Sequence, residues 1–253
     1  MKQLLAICLL LIGTMGLTSA HAHGGASRVE IEAEVQGPVN AGTVLFNFDL
    51  FDDETHKAIG EQDLVETHTK KLHVIVYDSS LNEFNHVHPT FNGTNWTAEL
   101  TLPVNGKYFF WAQGALKNGP EFSTYIRTEV QGGTAEIPVK PVGDKRTETV
   151  NGTTLTLQNT KVTAGKMVMI NFEITRADGQ SPEITPYLGA FAHVIAVSPD
   201  GASLIHVHPM KGRAANTGML HATFPKPGDY RVWVQFIDKG ELKTVPLSVS
   251  VGK

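Results

Sequence analysis

Two pairs of histidines, each pair separated by one valine and followed by a proline, are the chemical feature that stands out in this chain. They are His86 with His88 and His206 with His208. In a β-strand, residues i and i+2 project from the same face about 6.5–7 Å apart, so two imidazoles placed this way can bind one metal ion. The pattern predicts a metal site. The alternative is that these histidines only end surface strands.

A third histidine precedes each pair at the same distance. His73 lies thirteen residues before His86, and His193 lies thirteen residues before His206. A hairpin centred near residue 80 would place His73 opposite His86 and His88, where it could supply a third ligand across the strands. The repeated spacing favours the metal site over chance, and each hairpin is expected to carry a site of its own.

Further candidate ligands lie outside the two hairpins. His68 could add a fourth ligand to the first site, where the corresponding position of the second is Leu188. Cleavage of a leader after Ala22 would leave His23 as the first residue, and its α-amine and imidazole could then chelate Cu(II). The alternative for His23 is a tail without a ligand role.

The methionines bear on which metal ion is bound. Met210 follows the second histidine pair and is a soft ligand suited to Cu(I), whereas Met167 and Met169 are expected in the core. Three imidazoles suit copper or zinc, and the affinity order of divalent ions favours copper. No D-x-D-x-D loop for calcium is present. Copper is the predicted ion, with zinc as the runner-up.

The N-terminus has the organisation of a cleavable signal peptide. The positive start Met1-Lys2 precedes an apolar run from Leu4 to Leu17, and an A-x-A cleavage site ends at Ala22. The run is too short to span a bilayer, and no other segment is a candidate membrane span. Residues 1–22 are therefore predicted to be removed, and the protein is expected to be periplasmic or secreted. Because the one cysteine, Cys8, lies within the leader, the mature chain must bind any metal without thiolates.

The mature sequence is a duplication. The stretch around His73 and the histidine pair after it recurs about 120 residues later, and the Trp111-Ala-Gln motif recurs as Trp233-Val-Gln at an offset of 122. These matches predict one domain over residues 23–140, a polar linker over residues 141–150 and a second domain over residues 151–253.

Each unit is predicted to be built from short alternating strands separated by Gly, Pro and Asp turns, without an amphipathic helix. Strands of this length and spacing predict an all-β fold of two tandem immunoglobulin-like β-sandwiches. The predicted strands are Val44–Leu50, His73–Tyr77, Trp96–Leu102, Tyr108–Gln113, Met167–Ile174, His193–Val197, Arg231–Phe236 and Leu247–Val251.

The chain resembles a group of secreted bacterial two-domain proteins in which two histidines with four residues between them precede an apolar strand and an H-x-H-P motif follows. Here the residues are His68, Leu72-His73 and His86-Val-His88-Pro89. The resemblance implies a β-sandwich and the handling of heavy metals, copper in particular. With an N-terminal histidine on an exported β-sandwich, the chain is also similar to periplasmic copper carriers. Those proteins have one domain, and their remaining ligands are not matched here.

The leading functional hypothesis is a periplasmic copper-binding protein for sequestration or delivery, with another periplasmic metal carrier or a membrane transporter as its partner. The alternative is a non-metal adhesion or ligand-binding tandem, in which Trp96, Trp111 or Trp233 could be a glycan platform, although the last two are expected in the core. Catalysis, for example by a copper oxygenase using His23, is not expected, because no hydrolase or phosphate-binding motif is present. A net charge of −4 with no basic run argues against nucleic acid.

Overall fold

The structure, a computed structural model, describes residues 27–34, 37–67, 69–135, 143–207 and 209–253, together with the backbone of residues 20–21. Short and long strands make up the first half, with one 3-10 helix at Glu61–Asp63. The strands are β1 (Ala20–His21), β2 (Val29–Ala33), β3 (Val39–Asn40), β4 (Gly42–Asp52), β5 (Lys57–Ala58), β6 (Leu64–Val65), β7 (Leu72–Asp78), β8 (Phe84–Val87), β9 (Thr90–Phe91), β10 (Trp96–Leu102), β11 (Gly106–Leu116) and β12 (Glu121–Gln131).

The second half follows a similar order, without counterparts of β5 and the 3-10 helix among the described residues. Its strands are β13 (Thr147–Val150), β14 (Thr153–Leu157), β15 (Val162–Thr163), β16 (Met167–Arg176), β17 (Ile184–Thr185), β18 (His193–Val197), β19 (Leu204–Val207), β20 (Met210–Lys211), β21 (Thr217–Thr223), β22 (Gly228–Asp238) and β23 (Glu241–Gly252). The prediction of two tandem immunoglobulin-like β-sandwiches is confirmed. The second domain begins before residue 151, because β13 pairs with β14 and Lys145 bridges to Ser248.

Each domain contains two sheets that enclose a core. In the first domain the sheet β1-β12-β11-β7-β8 packs on β2-β4-β10-β9, and in the second β15-β23-β22-β18-β19 packs on β13-β14-β16-β21-β20. The alternating burial along β10 and β16 shows why these strands form, since every second side chain enters the core. The strand β1, which lies inside the predicted leader, pairs with β12.

A third apolar cluster joins the two domains. All seven residues of β7 and all five of β18 are buried, so these strands are covered on both faces. One face packs into the core of its own domain, and the other packs against the partner domain. The inter-domain cluster consists of Ile75, Tyr77, Leu81, Phe109, Trp111, Tyr125, Ile195, Val197, Leu204 and Trp233.

Polar contacts also cross between the domains. The hydroxyl of Tyr77 donates to the carbonyl of Gly201 at 2.8 Å, and Nε of Arg231 donates to the carbonyl of Leu81 at 2.8 Å. Because Tyr77 is fully buried, its hydroxyl needs such an acceptor, and the bond ties the first domain to the turn after β18. The two histidine-bearing sheets are thereby held face to face.

Two predictions about side chains have different outcomes. Trp96, Trp111 and Trp233 are all buried, as a core position requires, so none of them presents a platform for a glycan. The expectation that Met167 and Met169 lie in the core is wrong, because they are 71% and 54% exposed. Their neighbours on β16 alternate with them and fill the core instead. Within the described residues, no helix has the length and apolar character needed to cross a membrane.

Candidate metal centre

A carboxylate fixes the turn of the first histidine hairpin. Oδ1 of Asp78, at the end of β7, accepts hydrogen bonds from the backbone N–H groups of Asn82 and Glu83, both at 2.8 Å. Asp78 also bonds to the hydroxyl of Ser80 within the turn. Because turn geometry sets the register of a hairpin, these bonds determine which residues of β7 and β8 face each other.

The register places the histidines on the face that meets the partner domain. Ile75 pairs with His86, and Val74 pairs with Val87. His73 and Ile75 therefore share one face of β7, the face that also carries Tyr77 into the inter-domain cluster. The predicted opposition of His73 to the pair His86 and His88 follows from this register.

Three imidazoles of the first hairpin converge. Nδ1 of His73 lies 3.4 Å from Nε2 of His86 and 3.1 Å from Nε2 of His88. His73 and His86 are 1% and 2% exposed, whereas His88 is partly buried. One nitrogen from each of the three rings lies within 4.8 Å of the others, which is close enough for a shared ion.

The second hairpin repeats this arrangement. Nδ1 of His193 lies 3.2 Å from Nε2 of His206, and the two rings are separated by 5.5 Å between centroids at an interplanar angle of 28°. The corresponding rings of His73 and His86 are separated by 5.6 Å at 26°. The duplicated sequence thus builds the same local geometry twice.

The two hairpins form one cluster instead of the two separate sites expected from the sequence. The ring of His73 lies 5.0 Å from that of His206, and the ring of His86 lies 4.9 Å from those of both His193 and His206. His86 also groups with His193 and His206 as a second set of three nitrogens within 4.8 Å. We call these five residues, His73, His86, His88, His193 and His206, the histidine cluster.

Hydrogen bonds around the cluster set the tautomers of its rings. Nε2 of His73 lies 3.1 Å from the carbonyl oxygen of Thr67, and Nε2 of His193 lies 3.0 Å from that of Tyr187. A carbonyl oxygen can only accept, so each Nε2 carries the proton of a neutral ring and each Nδ1 keeps its lone pair. These Nδ1 atoms are the ones that point into the cluster.

His86 is oriented by the opposite domain. Its Nδ1 lies 3.1 Å from Oε1 of Gln235, whose amide nitrogen donates to the hydroxyl of Thr244 at 3.0 Å. Nδ1 of His86 is therefore the donor, and Nε2 presents its lone pair to Nδ1 of His73. A hydrogen bond from the outer nitrogen of a ring to a carbonyl or amide oxygen is the usual support of a metal-binding histidine.

Burial keeps the rings of His86 and His88 neutral. Desolvation lowers the pKa of His86 well below its ordinary value, and the neighbouring rings of His193 and His73 lower it further. Burial also lowers the pKa of His88 to about 3, with smaller effects of the charges of His73 and Lys70. Neutral imidazole is the form that binds a metal ion.

The nitrogen positions fit a metal ion. Nitrogens about 2.0–2.1 Å from an ion at tetrahedral angles lie about 3.3–3.4 Å apart, close to the distances of 3.4 and 3.1 Å from Nδ1 of His73. Within the described residues, the buried Nδ1 of His88 has no hydrogen-bond partner. Lone pairs that face one another in a buried site are stabilised by a proton or a cation between them.

Three predicted ligands have no described position. His23, His68 and His208 lie outside the described residues. Gln235 and the two carbonyls, which orient the rings, were not among the residues predicted from the sequence. The signal for Gln235 was its position in the repeated Trp-x-Gln motif, where β22 pairs it with His193 and β11 pairs Gln113 with His73.

The chain is similar to known proteins in fold, and one family of unknown function matches part of it. A family described as "Domain of unknown function (DUF8832)" matches residues 148–253, less than half of the chain. No curated protein matches.

Similar solved structures include fibronectin(III)-like modules of Clostridium thermocellum CbhA, at 16% identity and a TM-score of 0.24, covering 88% of this chain and 93% of that chain. Another is the Escherichia coli adhesin FdeC, at 15% identity and a TM-score of 0.30, covering 90% of this chain and 65% of that chain. At identities and TM-scores this low, the likeness carries no argument about function.

Proposed function

We propose that this protein binds a transition-metal ion, copper in the first place and zinc in the second, in the histidine cluster between its two domains. His73, His86 and His88 are the first ligand group, and His193 and His206 contribute from the second domain. The protein would sequester or deliver the ion outside the cytoplasm, in keeping with the predicted signal peptide. It would bind the ion without catalysing a reaction.

The observation that carries this proposal is the convergence of lone pairs. Nδ1 of His73 and Nε2 of His86 point at each other across 3.4 Å, and both outer nitrogens of these rings donate to oxygen acceptors. Two lone pairs at this distance can bind one cation, and Nε2 of His88 lies 3.1 Å from the same Nδ1 of His73, where it could be a third ligand.

The donor set favours copper or zinc over harder ions. All the candidate ligand atoms of the cluster are imidazole nitrogens, and neither candidate group includes a carboxylate. Calcium and magnesium prefer oxygen ligands, whereas imidazole suits zinc and both oxidation states of copper. Copper stays the first choice because copper has the higher affinity for nitrogen ligands of this kind.

Release and uptake of the ion would take place by ligand exchange at the more exposed rings. His88 and His206 are partly buried, while His73, His86 and His193 are almost completely covered. An incoming ion would meet His88 or His206 first and then reach the covered rings. Protonation of the imidazoles would favour release.

The test is a copper titration of the full mature chain with metal analysis. We expect saturable binding of about one or two ions per chain, lost when His86 and His88 are both changed to Gln. His56→Asn is the matched control. His56 is exposed and lies outside the cluster, and Asn tolerates its φ of 54°. Unchanged copper stoichiometry and affinity in the His86→Gln/His88→Gln variant would reject the proposal.

A second candidate function is a non-metal adhesion or ligand-binding tandem. The similar structures are closer to this alternative than to copper binding, since they include the adhesin FdeC and a biofilm-associated protein domain. Those likenesses have TM-scores of 0.30 and 0.25, so they do not extend beyond the fold. A thermal-shift scan with copper, zinc and nickel separates the two functions, because the adhesion module predicts no stabilisation by metal.

A further inference from the structure

The methionines beyond the leader lie together on the outer face of the second domain. The sequence contains six methionines, and two of them precede the described residues. The other four lie on three neighbouring strands, in the order β16, β21 and β20. They are Met167, Met169, Met210 and Met219.

The strand register brings these side chains next to a histidine. Met169 on β16 pairs with His221 on β21, and Met210 on β20 pairs with Met219 on β21. Met219 and His221 are two residues apart, so they project from the same face. Directly paired residues have Cβ atoms about 4.5–5.5 Å apart, within reach of flexible methionine side chains. We call Met167, Met169, Met210, Met219 and His221 the methionine face.

This face is open to solvent. Met167, Met169 and Met210 are 71%, 54% and 50% exposed, and His221 is exposed as well. Methionine usually fills gaps in cores, yet here the adjacent Val168 and Ile170 fill the core and the thioethers point outward. Packing of the domain therefore does not account for the choice of methionine.

The first domain shows that the fold does not require thioethers at this place. The position that corresponds to Met169 is Leu45 on β4, which is 69% exposed. Its partner on β10 is Glu99, where the second domain has His221. The methionine face is thus a property of the second domain alone, and it adds soft ligands where the first domain has none.

We propose that the methionine face is a second metal site, selective for Cu(I), with Met169, Met219 and His221 as ligands and Met210 able to complete the coordination. Thioether sulfur is a soft ligand that suits Cu(I), and imidazole binds it as well. Zinc and the hard divalent ions gain little from thioethers. The site does not depend on the histidine cluster, since none of its residues belongs to that cluster.

The test uses the full mature chain and methionine methyl signals in NMR. Under anaerobic conditions Cu(I) is added against a coloured Cu(I) chelator, and Ag(I) is used in parallel as a soft ion that does not change oxidation state. We expect the methyl signals of Met169, Met210 and Met219 to shift. The Met169→Leu/Met219→Leu variant should bind about one Cu(I) fewer per chain. Leu keeps the apolar volume, so the variant removes the sulfurs without removing the surface.

Controls distinguish this site from an apolar docking patch and from the histidine cluster. Leu45→Asn, at the corresponding place in the first domain, should leave Cu(I) binding unchanged, and His73→Gln/His86→Gln should leave the methyl response to Ag(I) unchanged. A Cu(I) count that is unaltered in Met169→Leu/Met219→Leu, or methyl signals that do not move, would overturn the inference. Methyl shifts of equal size with Zn(II) would overturn the selectivity.

Discussion

Each domain has an inner face, which packs against the other domain, and an outer face, which points to solvent. The two kinds of face differ in how far the duplicated copies have kept the same residues. On the inner faces, the contact of His73 with His86 matches that of His193 with His206 to within 0.2 Å, at 3.4 and 3.2 Å. On the outer faces, Leu45 stands where the second domain has Met169. The inner faces are constrained by each other, because a change in one hairpin alters the surface that the other must fit. The outer faces have no such constraint.

The largest expected effect comes from opening the inner face. Trp233 is 1% exposed, and its ring stacks on Phe84 at 4.5 Å between centroids. Trp233→Ala should lower the free energy of unfolding by about 3–5 kcal/mol, because it leaves a cavity in the inter-domain cluster. Denaturant unfolding measures this change.

Trp96 offers the matched comparison, since it is 3% exposed but lies in the core of the first domain alone. Trp96→Ala should also destabilise the protein, while Trp233→Ala should weaken copper binding more than Trp96→Ala does. Equal effects of the two substitutions on copper affinity would show that the inter-domain packing does not support the site.

Much of the fold and part of the cluster could be predicted from the sequence. Alternation of apolar residues and the thirteen-residue spacing are local signals, and they give the strands and the opposition of His73 to His86 and His88. The merging of the hairpins depends on which surfaces pack together, and no local pattern encodes that. An indirect signal was present, because the continuous apolar run of β7 is typical of a strand buried on both faces.

The orientation of β16 could be predicted from the whole strand but not from its first four residues. Met alternates there with Val and Ile, so both faces are apolar at the start of the strand. The face of Met167 and Met169 then continues with polar residues as far as Thr175, whereas the face of Val168 continues with apolar residues as far as Ile174. The structure places Val168 and Ile170 inside. Branched side chains of well-defined shape pack there, and the flexible methionines are left outside.

The next largest effect is the stabilisation of the folded protein by bound copper. If an ion binds the folded cluster and not the unfolded chain, a free ion concentration of a hundred times Kd should raise the free energy of unfolding by about 2.7 kcal/mol. The melting temperature should rise with copper concentration in the wild type. In the His86→Gln/His88→Gln variant the rise should be absent, and a rise of the same size there would place the ion elsewhere.

Acidification should lower the stability of the metal-free protein through the buried histidines of the inner face. The ordinary histidine pKa is about 6.5, whereas burial lowers the pKa of His88 to about 3 and that of His86 well below its ordinary value. Below pH 6.5 the unfolded chain takes up protons that the folded chain does not, so stability is full above pH 6.5 and decreases towards pH 3. Denaturation curves of the metal-free protein between pH 7.5 and 4.5 measure this decrease. The decrease should be smaller in the His86→Gln/His88→Gln variant, and a decrease there as steep as in the wild type would contradict this explanation.

The smallest effect is expected on the outer face. Met169 is 54% exposed, so Met169→Leu should change the free energy of unfolding by less than about 1.5 kcal/mol. The same denaturant experiment measures it, and copper binding by the histidine cluster should stay as in the wild type. A large loss of stability would mean that the methionine has a packing role in the second domain.

The claim that both domains share one cluster is tested most directly by a double-mutant cycle on copper affinity in the full chain. His73 and His206 come from different domains, and their rings lie 5.0 Å apart. Copper Kd is measured for the wild type, His73→Gln, His206→Gln and the double variant, with circular dichroism to confirm folding. A shared cluster predicts a coupling energy of about 0.5–3 kcal/mol between the two substitutions. Strictly additive effects would show that the two hairpins bind independently and would contradict the account.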